Sequence, residues 1–254
     1  MKKPVVLVGL GEMGSVFARA LLRIGHPVYP VTRELPMAKA AEEIADPEAV
    51  VIAVAEKDIP QVLAGVPQQW RDRLVLLQNE LLPRDWKQHD LEGVTVISVW
   101  FEKKPGQDYK VLIPSPVYGP HAKLIADALA AINIPARVLS SPDDLETELV
   151  IKNVYILTTN IAGLECGGSV SELWSNHERI ARAVADDVMD IQAWLVGHDL
   201  DRDKLVAGML HAFEGDPDHK CMGRSAPARL ERALKQADEA GLSVRKLREI
   251  HAQA

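Results

Sequence analysis

The residues with the clearest chemistry lie near the start of the chain. Gly9-Leu10-Gly11-Glu12-Met13-Gly14 fits the spacing G-x-G-x-x-G. It directly follows an apolar, β-branched run over residues 5–8 and directly precedes a helical pattern over residues 12–24. That placement is what the motif's mechanism requires. The first glycine makes the tight turn, the second lets a pyrophosphate approach the backbone, and the third lets the helix pack closely on the strand. The phosphates rest on N–H groups at the helix N-terminus, where the helix dipole is favourable. Residues 9–14, with Leu10, Glu12 and Met13 supplying backbone between the glycines, are therefore the expected cofactor-binding turn. The alternative is a glycine-rich turn that binds nothing.

The end of the second apolar run bears on which dinucleotide is bound. In NAD-binding versions an acid there holds the ribose 2′-hydroxyl. Here the run ends in Val31-Thr32-Arg33. No carboxylate stands at position 32, and Arg33 offers a planar, permanently charged fork that suits a 2′-phosphate. Thr32 adds a hydroxyl, while Glu34 would repel a phosphate. The expected cofactor is NADP(H), bound in part by Thr32 and Arg33.

These residues need a frame. Of 254 residues, 47% are apolar, 26% charged and 5% aromatic, a balance that excludes a disordered chain. The net charge of −7 comes without a basic stripe, so nucleic acid is not an expected partner. No apolar run reaches the roughly 18 residues of a membrane helix. The apolar start breaks off at Gly9, against a secretory leader. Two cysteines, Cys166 and Cys221, make neither a disulfide framework nor a four-thiolate metal site, and a cytoplasmic location is expected.

Short strands are expected at residues 5–8, 28–31, 50–54, 74–77 and 94–99, with helices over 12–24, 35–44 and 58–64. Near-continuous apolar strands alternating with helices are the pattern of a doubly wound parallel sheet. Residues 111–113 and 136–139 are candidate further strands, flanking a helix over 121–132. After Ser140 only helical patterns follow. Ser141, Ser169, Ser225 and Ser243 are the expected N-caps, with Ser169 and Glu172 forming a capping box. The fold class is α/β, with a Rossmann-type dinucleotide-binding domain over 1–140 and an all-helical substrate or dimerisation domain over 141–254.

Three segments resemble the ketopantoate reductase family, a branch of the 6-phosphogluconate-dehydrogenase-like group. The first is the glycine turn with its Met13-Gly14. The second is Leu76-Leu77-Gln78-Asn79-Glu80, similar to the family's Gln-Asn-Gly after the fourth strand. The third is Glu148-Leu149-Val150-Ile151-Lys152-Asn153 through Asn160, where family members carry a Lys followed by Asn residues one and two turns on. The resemblance spans nearly the whole chain, which is shorter than usual members.

The resemblance implies that Lys152 is the general acid of a hydride transfer from NADPH to a carbonyl carbon. That chemistry needs a proton donor near the carbonyl oxygen and a fixed positive charge, and a Lys on a helix can be both. At about 100° per residue, Lys152, Ile156, Asn160 and Asn153 fall near 0°, 40°, 80° and 100° on the helical wheel. Lys152, Asn153 and Asn160 thus share one side, and together with Asn79, which is also expected to contact the cofactor, they form the expected catalytic set. The alternative is that Lys152 reaches solvent and the two Asn residues bridge helices.

Some positions depart from the family pattern. Ser225 stands where the family has a carboxylate on a late helix, and Glu231 lies nearly two turns beyond it. Glu80 replaces the glycine of Gln-Asn-Gly. Residues 219–225 are rich in polar and basic groups, which suits either an anion-binding rim or an ordinary loop. His177, His198, His211 and His219 lack metal-ligand spacing, and no metal is expected. The expected function is an NADPH-dependent reduction of a small 2-oxo acid. A 3-hydroxyacid dehydrogenase of the same superfamily and a non-catalytic NADP(H)-binding sensor are the alternatives. The expected partner is a small-molecule substrate, with a second copy of the chain in a homodimer as a further option and no membrane.

Overall fold

The structure, a computed structural model, describes residues 2–253. It forms two compact units that divide between Glu148 and Leu149.

The first unit opens with β1 (Val5–Val8), the glycine turn, α1 (Glu12–Arg23) and β2 (Val28–Val31). It continues with α2 (Met37–Glu43), β3 (Ala49–Ile52), α3 (Ile59–Ala64), β4 (Leu74–Leu76), α4 (Pro83–Lys87) and β5 (Thr95–Ile97). The five strands pair in parallel in the order β2-β1-β3-β4-β5. Every residue of β1, β3, β4 and β5 is buried. Successive side chains point to opposite faces, so both faces are covered, which explains the unbroken apolar runs in the sequence. On one face Phe17 and Leu21 of α1 pack with Val5, Leu7, Val51 and Val75.

The chain leaves β1 toward β2 on one side and returns to β3 on the other, so the strand order reverses between β1 and β3. The crevice outside the carboxyl ends at such a reversal is where open α/β sheets bind ligands. Val8 is in register with both Val31 and Ile52, which sets the ends of β2, β1 and β3 side by side.

The chain after β5 differs from the expectation. A two-stranded antiparallel hairpin, β6 (Phe101–Lys103) with β7 (Tyr109–Val111), stands apart from the main sheet. The expected strand at 111–113 is instead the end of this hairpin. The next strand of the main sheet is β8 (Ser115–Tyr118), which runs antiparallel to β5. It is followed by α5 (Ala122–Ala130) and by β9 (Ala136–Val138), parallel to β8. The seven-stranded sheet is therefore parallel through its first five strands and carries one antiparallel pair. The hairpin turns the chain round, so β8 enters the sheet in the opposite sense without a helical crossover.

The second unit is helical. It comprises most of α6 (Pro142–Cys166), then α7 (Val170–Val196), α8 (Arg202–Gly215), α9 (Ala226–Ala240) and α10 (Arg245–His251). Among the described residues no strand follows β9, apart from one isolated bridge between Ser169 and Lys220. Two of the expected caps form. The Ser141 hydroxyl accepts from the Asp144 N–H at 3.1 Å, and Ser169 forms its capping box with Glu172. Leu173, Val184, Val188 and Ile191 form the buried stripe of α7, which kinks at His177.

The other two caps are corrected. Ser225 holds the N-cap position of α9 but makes no side-chain cap, because its backbone is already near-helical at φ −87°, ψ −2°. At α10 the N-cap is Val244 rather than Ser243, in a left-handed conformation at φ 35°. For a β-branched residue that costs about 1–2 kcal/mol. Asp187 of α7 offsets the cost: its carboxylate accepts the Lys246 and Leu247 N–H groups at 2.7 and 3.0 Å. Burial, the larger influence, holds the Asp187 carboxyl above the usual carboxylate range despite those two donors.

Candidate functional site

The glycine turn is built as its spacing predicts. Gly9 has φ +94°, and a Cβ there would lie 2.7 Å from the Ala53 carbonyl oxygen. Its N–H donates to the Val31 carbonyl at 3.0 Å, while the Ala53 N–H donates to Val8 at 2.7 Å. The turn is thus pinned to the strands on both sides. Gly14 is buried, and a Cβ on it would lie 2.2 Å from the Gly9 carbonyl oxygen. Only a glycine lets α1 start this close to the turn. A Cβ on Gly11 meets nothing within 4 Å. The backbone is therefore approachable where α1 begins, and its first N–H groups have no partner one turn back. Leu10 and Glu12 are exposed beside this opening, and Met13 is half-buried against the core. The arrangement fits a dinucleotide diphosphate: two glycines are sterically obligatory and the third borders open space.

Thr32 and Arg33 follow β2 at the same end of the sheet, and both are exposed. The Thr32 hydroxyl accepts from the Glu34 N–H at 3.3 Å, a local turn that shapes this edge. Gln78 and Asn79 follow β4. The Gln78 side chain donates to the Ile52 carbonyl at 2.6 Å and accepts from the Leu77 N–H at 3.1 Å, so it fastens the end of β4 to the end of β3. The Asn79 amide donates to Glu56 at 3.0 Å. Glu80 has φ +61°, so this position keeps a left-handed backbone with a non-glycine side chain.

Sequence reasoning missed two residues at this end of the sheet. One is Glu56, the partner of Asn79. The other is Lys103, whose ammonium lies 3.1 Å from the Glu12 carboxylate. The Pro105-Gly106 pair, between Phe-Glu-Lys and Tyr-Lys-Val, is the signal for the hairpin that carries Lys103. The turn itself has Gly106 at φ +74° and a Gln107 N–H to Lys104 carbonyl bond of 3.1 Å.

In the helical unit, α6 carries Lys152, Asn153 and Asn160. Lys152 is 9% exposed, and its ammonium lies 5.5 Å from the centre of the Tyr155 ring. The Tyr155 ring in turn lies 5.7 Å from that of Phe213 and 6.5 Å from that of His219. His219 is 3.4 Å from the carboxylate of buried Asp216. The Asn153 amide donates to Gln192 of α7 at 2.9 Å. The Asn160 amide is used at both ends: it donates to the Cys221 carbonyl at 3.1 Å and accepts from buried Arg229 of α9 at 2.9 Å. Both asparagines thus tie helices together, and Lys152 stands with Tyr155.

Residues 219–225 form a loop whose backbone is docked on the start of α7. The Val170 N–H donates to the His219 carbonyl and the Cys221 N–H to Gly168. Burial is the larger influence on both thiols, raising Cys166 and pushing Cys221 up to about 11. Neither is a thiolate at neutral pH. Among the described residues no group of His, Cys, Asp or Glu is placed to hold a metal ion. No helix among them is long and apolar enough to cross a membrane.

One cavity of about 670 Å³ lies in the first unit, lined by Trp86, Tyr118 and Val138 among others. It sits at the opposite end of the parallel strands from the glycine turn. The turn remains the better candidate site, because its steric requirements and open helix terminus specify a ligand chemistry and the cavity does not.

No protein-family model matches the chain, and no curated protein matches its sequence. Solved structures match over nearly its full length. A 2-dehydropantoate 2-reductase from Methylococcus capsulatus has a TM-score of 0.71 at 17% identity, covering 98% of this chain and 95% of that one. A dimeric ketopantoate reductase from Staphylococcus aureus has a TM-score of 0.65 at 16% identity, covering 98% and 96%. A D-mandelate dehydrogenase in complex with NADH has a TM-score of 0.65 at 13% identity, covering 99% and 97%. The fold is therefore that of ketopantoate reductases, an N-terminal Rossmann-type domain followed by helices, and the resemblance read from the sequence holds at that level.

The second and third glycines of the turn should respond differently to a methyl group. Gly14→Ala must push α1 away from the Gly9 carbonyl and should destabilise the protein by about 2–3 kcal/mol. Gly11→Ala, at φ −70° with open space around it, should leave the urea midpoint nearly unchanged. Equal losses in both variants would contradict this account of the turn.

Proposed function

We propose that the chain is a nicotinamide-dinucleotide-dependent oxidoreductase that reduces the carbonyl of a small 2-oxo acid, with NADPH as its cofactor. The observation that carries the reading is the glycine turn at the strand-order reversal, closed at Gly9 and Gly14 and open at Gly11. Solved proteins of the same fold include ketopantoate reductases and an NADH-bound dehydrogenase, which supports the reaction class.

When bound, the reduced nicotinamide supplies a hydride equivalent to the carbonyl carbon. The chain's own residues do the rest. The N-terminus of α1 holds the diphosphate with backbone N–H groups. Arg33 and Thr32 read the adenosine ribose, with the guanidinium taking the 2′-phosphate. Asn79, steadied by Glu56, contacts the nicotinamide ribose or the substrate. Lys152 gives a proton from Nζ to the carbonyl oxygen and stabilises the developing alkoxide. Asn153 and Asn160 act by holding α6 in place against α7 and α9. A second copy of the chain is a further partner: a protein of this fold is dimeric, and Trp194 on α7 is 38% exposed. Both cysteines are free thiols, in keeping with a reducing cytoplasm.

A second reading, a non-catalytic NADP(H) sensor, has one observation in its favour. Both asparagine amides are engaged inside the helical unit, and Ser225 stands where a substrate-binding carboxylate is expected. Lys152 separates the two readings. Lys152→Ala should leave NADPH affinity within about twofold and lower turnover of an accepted 2-oxo acid by roughly 10²–10⁴. Steady-state assays over a panel of 2-oxo acids check this; unchanged turnover would refute the assignment, and no turnover by the wild type would favour the sensor. Separately, Arg33→Ala should weaken NADPH by about tenfold or more and NADH by less than about twofold. Equal weakening of both, in fluorescence titrations, would mean that the 2′-phosphate is not read there.

A further inference from the structure

The glycine turn carries a charge that works against its proposed ligand. Glu12 is the first residue of α1, between the open Gly11 and the buried Gly14. A carboxylate there sits beside the place where a diphosphate would rest, and two like charges at that range repel. The β6–β7 hairpin supplies an answer. Phe101 and Lys103 are two residues apart on β6, so they point to the same face. Phe101 packs on Phe17 of α1, with ring centres 6.2 Å apart. Lys103 places its ammonium 3.1 Å from the Glu12 carboxylate and donates to the Lys104 carbonyl at 2.9 Å.

Lys104 pairs with Glu102 at 2.9 Å, and Arg19 of α1 faces Asp108 at 3.8 Å. Lys103 is the better buried partner of its pair, 18% exposed against 45% for Glu12. The hairpin is also anchored from behind. The Tyr109 hydroxyl, from the residue opposite Lys103, donates to the Ile132 carbonyl beyond α5. The cation is therefore fixed by the fold, and the acid beside the turn is the more exposed member.

We propose that Lys103 is a positioning residue for dinucleotide binding: it neutralises Glu12 and draws its carboxylate aside, so that the diphosphate can approach Gly11. This rests on the reading of the turn as a dinucleotide site. It assigns the hairpin, which lies outside the main sheet, a role in setting the electrostatics of that site. Lys103 acts through Glu12 and does not itself need to touch the phosphates.

A double-mutant cycle tests it, read by isothermal titration with NADPH and with ADP. Lys103→Gln should weaken both ligands by about tenfold. Lys103→Arg, which keeps the charge, should stay within about threefold of wild type. Glu12→Gln should tighten binding. The double variant Glu12→Gln/Lys103→Gln should return to within about threefold of wild type, because the acid that needed neutralising is gone. Adenosine, which lacks phosphates, should bind all four variants alike. Unchanged binding by Lys103→Gln overturns the proposal, as does a double variant as weak as Lys103→Gln alone. If Lys103→Gln does not fold, Glu12→Gln decides alone, and weaker binding by it is the contrary result. A wild type that binds no pyridine nucleotide removes the dinucleotide reading and this inference together; a wild type that binds while the cycle fails removes only the inference.

Discussion

The first unit depends on one close contact, between the α-carbon of Gly14 and the carbonyl oxygen of Gly9. With no side chain between them, α1 starts directly over the end of β1. The rest of the unit follows from that placement. Phe17 and Leu21 reach the sheet face one and two turns later, and the helix terminus is left facing the open side of Gly11. Gly9 is held by hydrogen bonding to the end of β2, and Ala53 by hydrogen bonding to the end of β1, so the turn cannot relax away from the sheet. The same contact that completes the core thus creates a terminus with unmet N–H groups, which is the physical origin of the proposed binding site.

At this end of the sheet Glu12 forms a neutral ion pair with Lys103, and the Glu56 carboxylate accepts from the Asn79 amide. Arg33 stands outside both and is exposed. Arg33 thus presents a permanent positive charge to an anionic ligand at the β2 edge. The helical unit follows a different economy. Several of its polar side chains fasten helices: Asn153 to α7, Asn160 to α9, and Asp187 to the start of α10. Lys152 is the buried cation on α6, with its ammonium beside the Tyr155 ring.

Much of the fold was legible from local pattern. The strands β1, β3, β4 and β5 are buried, almost wholly apolar runs, and burial on both faces leaves a strong trace in sequence. The glycine turn was legible because Gly9 and Gly14 each have a separate steric reason to be there and Gly11 leaves the backbone open between them. The β6–β7 hairpin was not read, since Phe-Glu-Lys and Tyr-Lys-Val are too short and too polar to show an apolar run; its Pro105-Gly106 turn was the available signal. The Ser243 cap failed because the acceptor that caps α10 is Asp187, more than fifty residues earlier in the chain. The asparagines show the same limit. Helical spacing placed Asn153 and Asn160 on one side of α6, but their partners lie 39 and 69 residues away, and no local pattern carries that distance.

The central claim is that the open terminus of α1 seats a pyridine dinucleotide. Calorimetric titration of the purified wild-type protein with NADPH, with Gly11→Ala run beside it, tests this most directly. The account predicts saturable binding of one dinucleotide per chain and a clear loss of affinity in the variant, whose fold is intact. Absence of saturable binding at millimolar NADPH or NADH, or equal affinity in the two proteins, would contradict it.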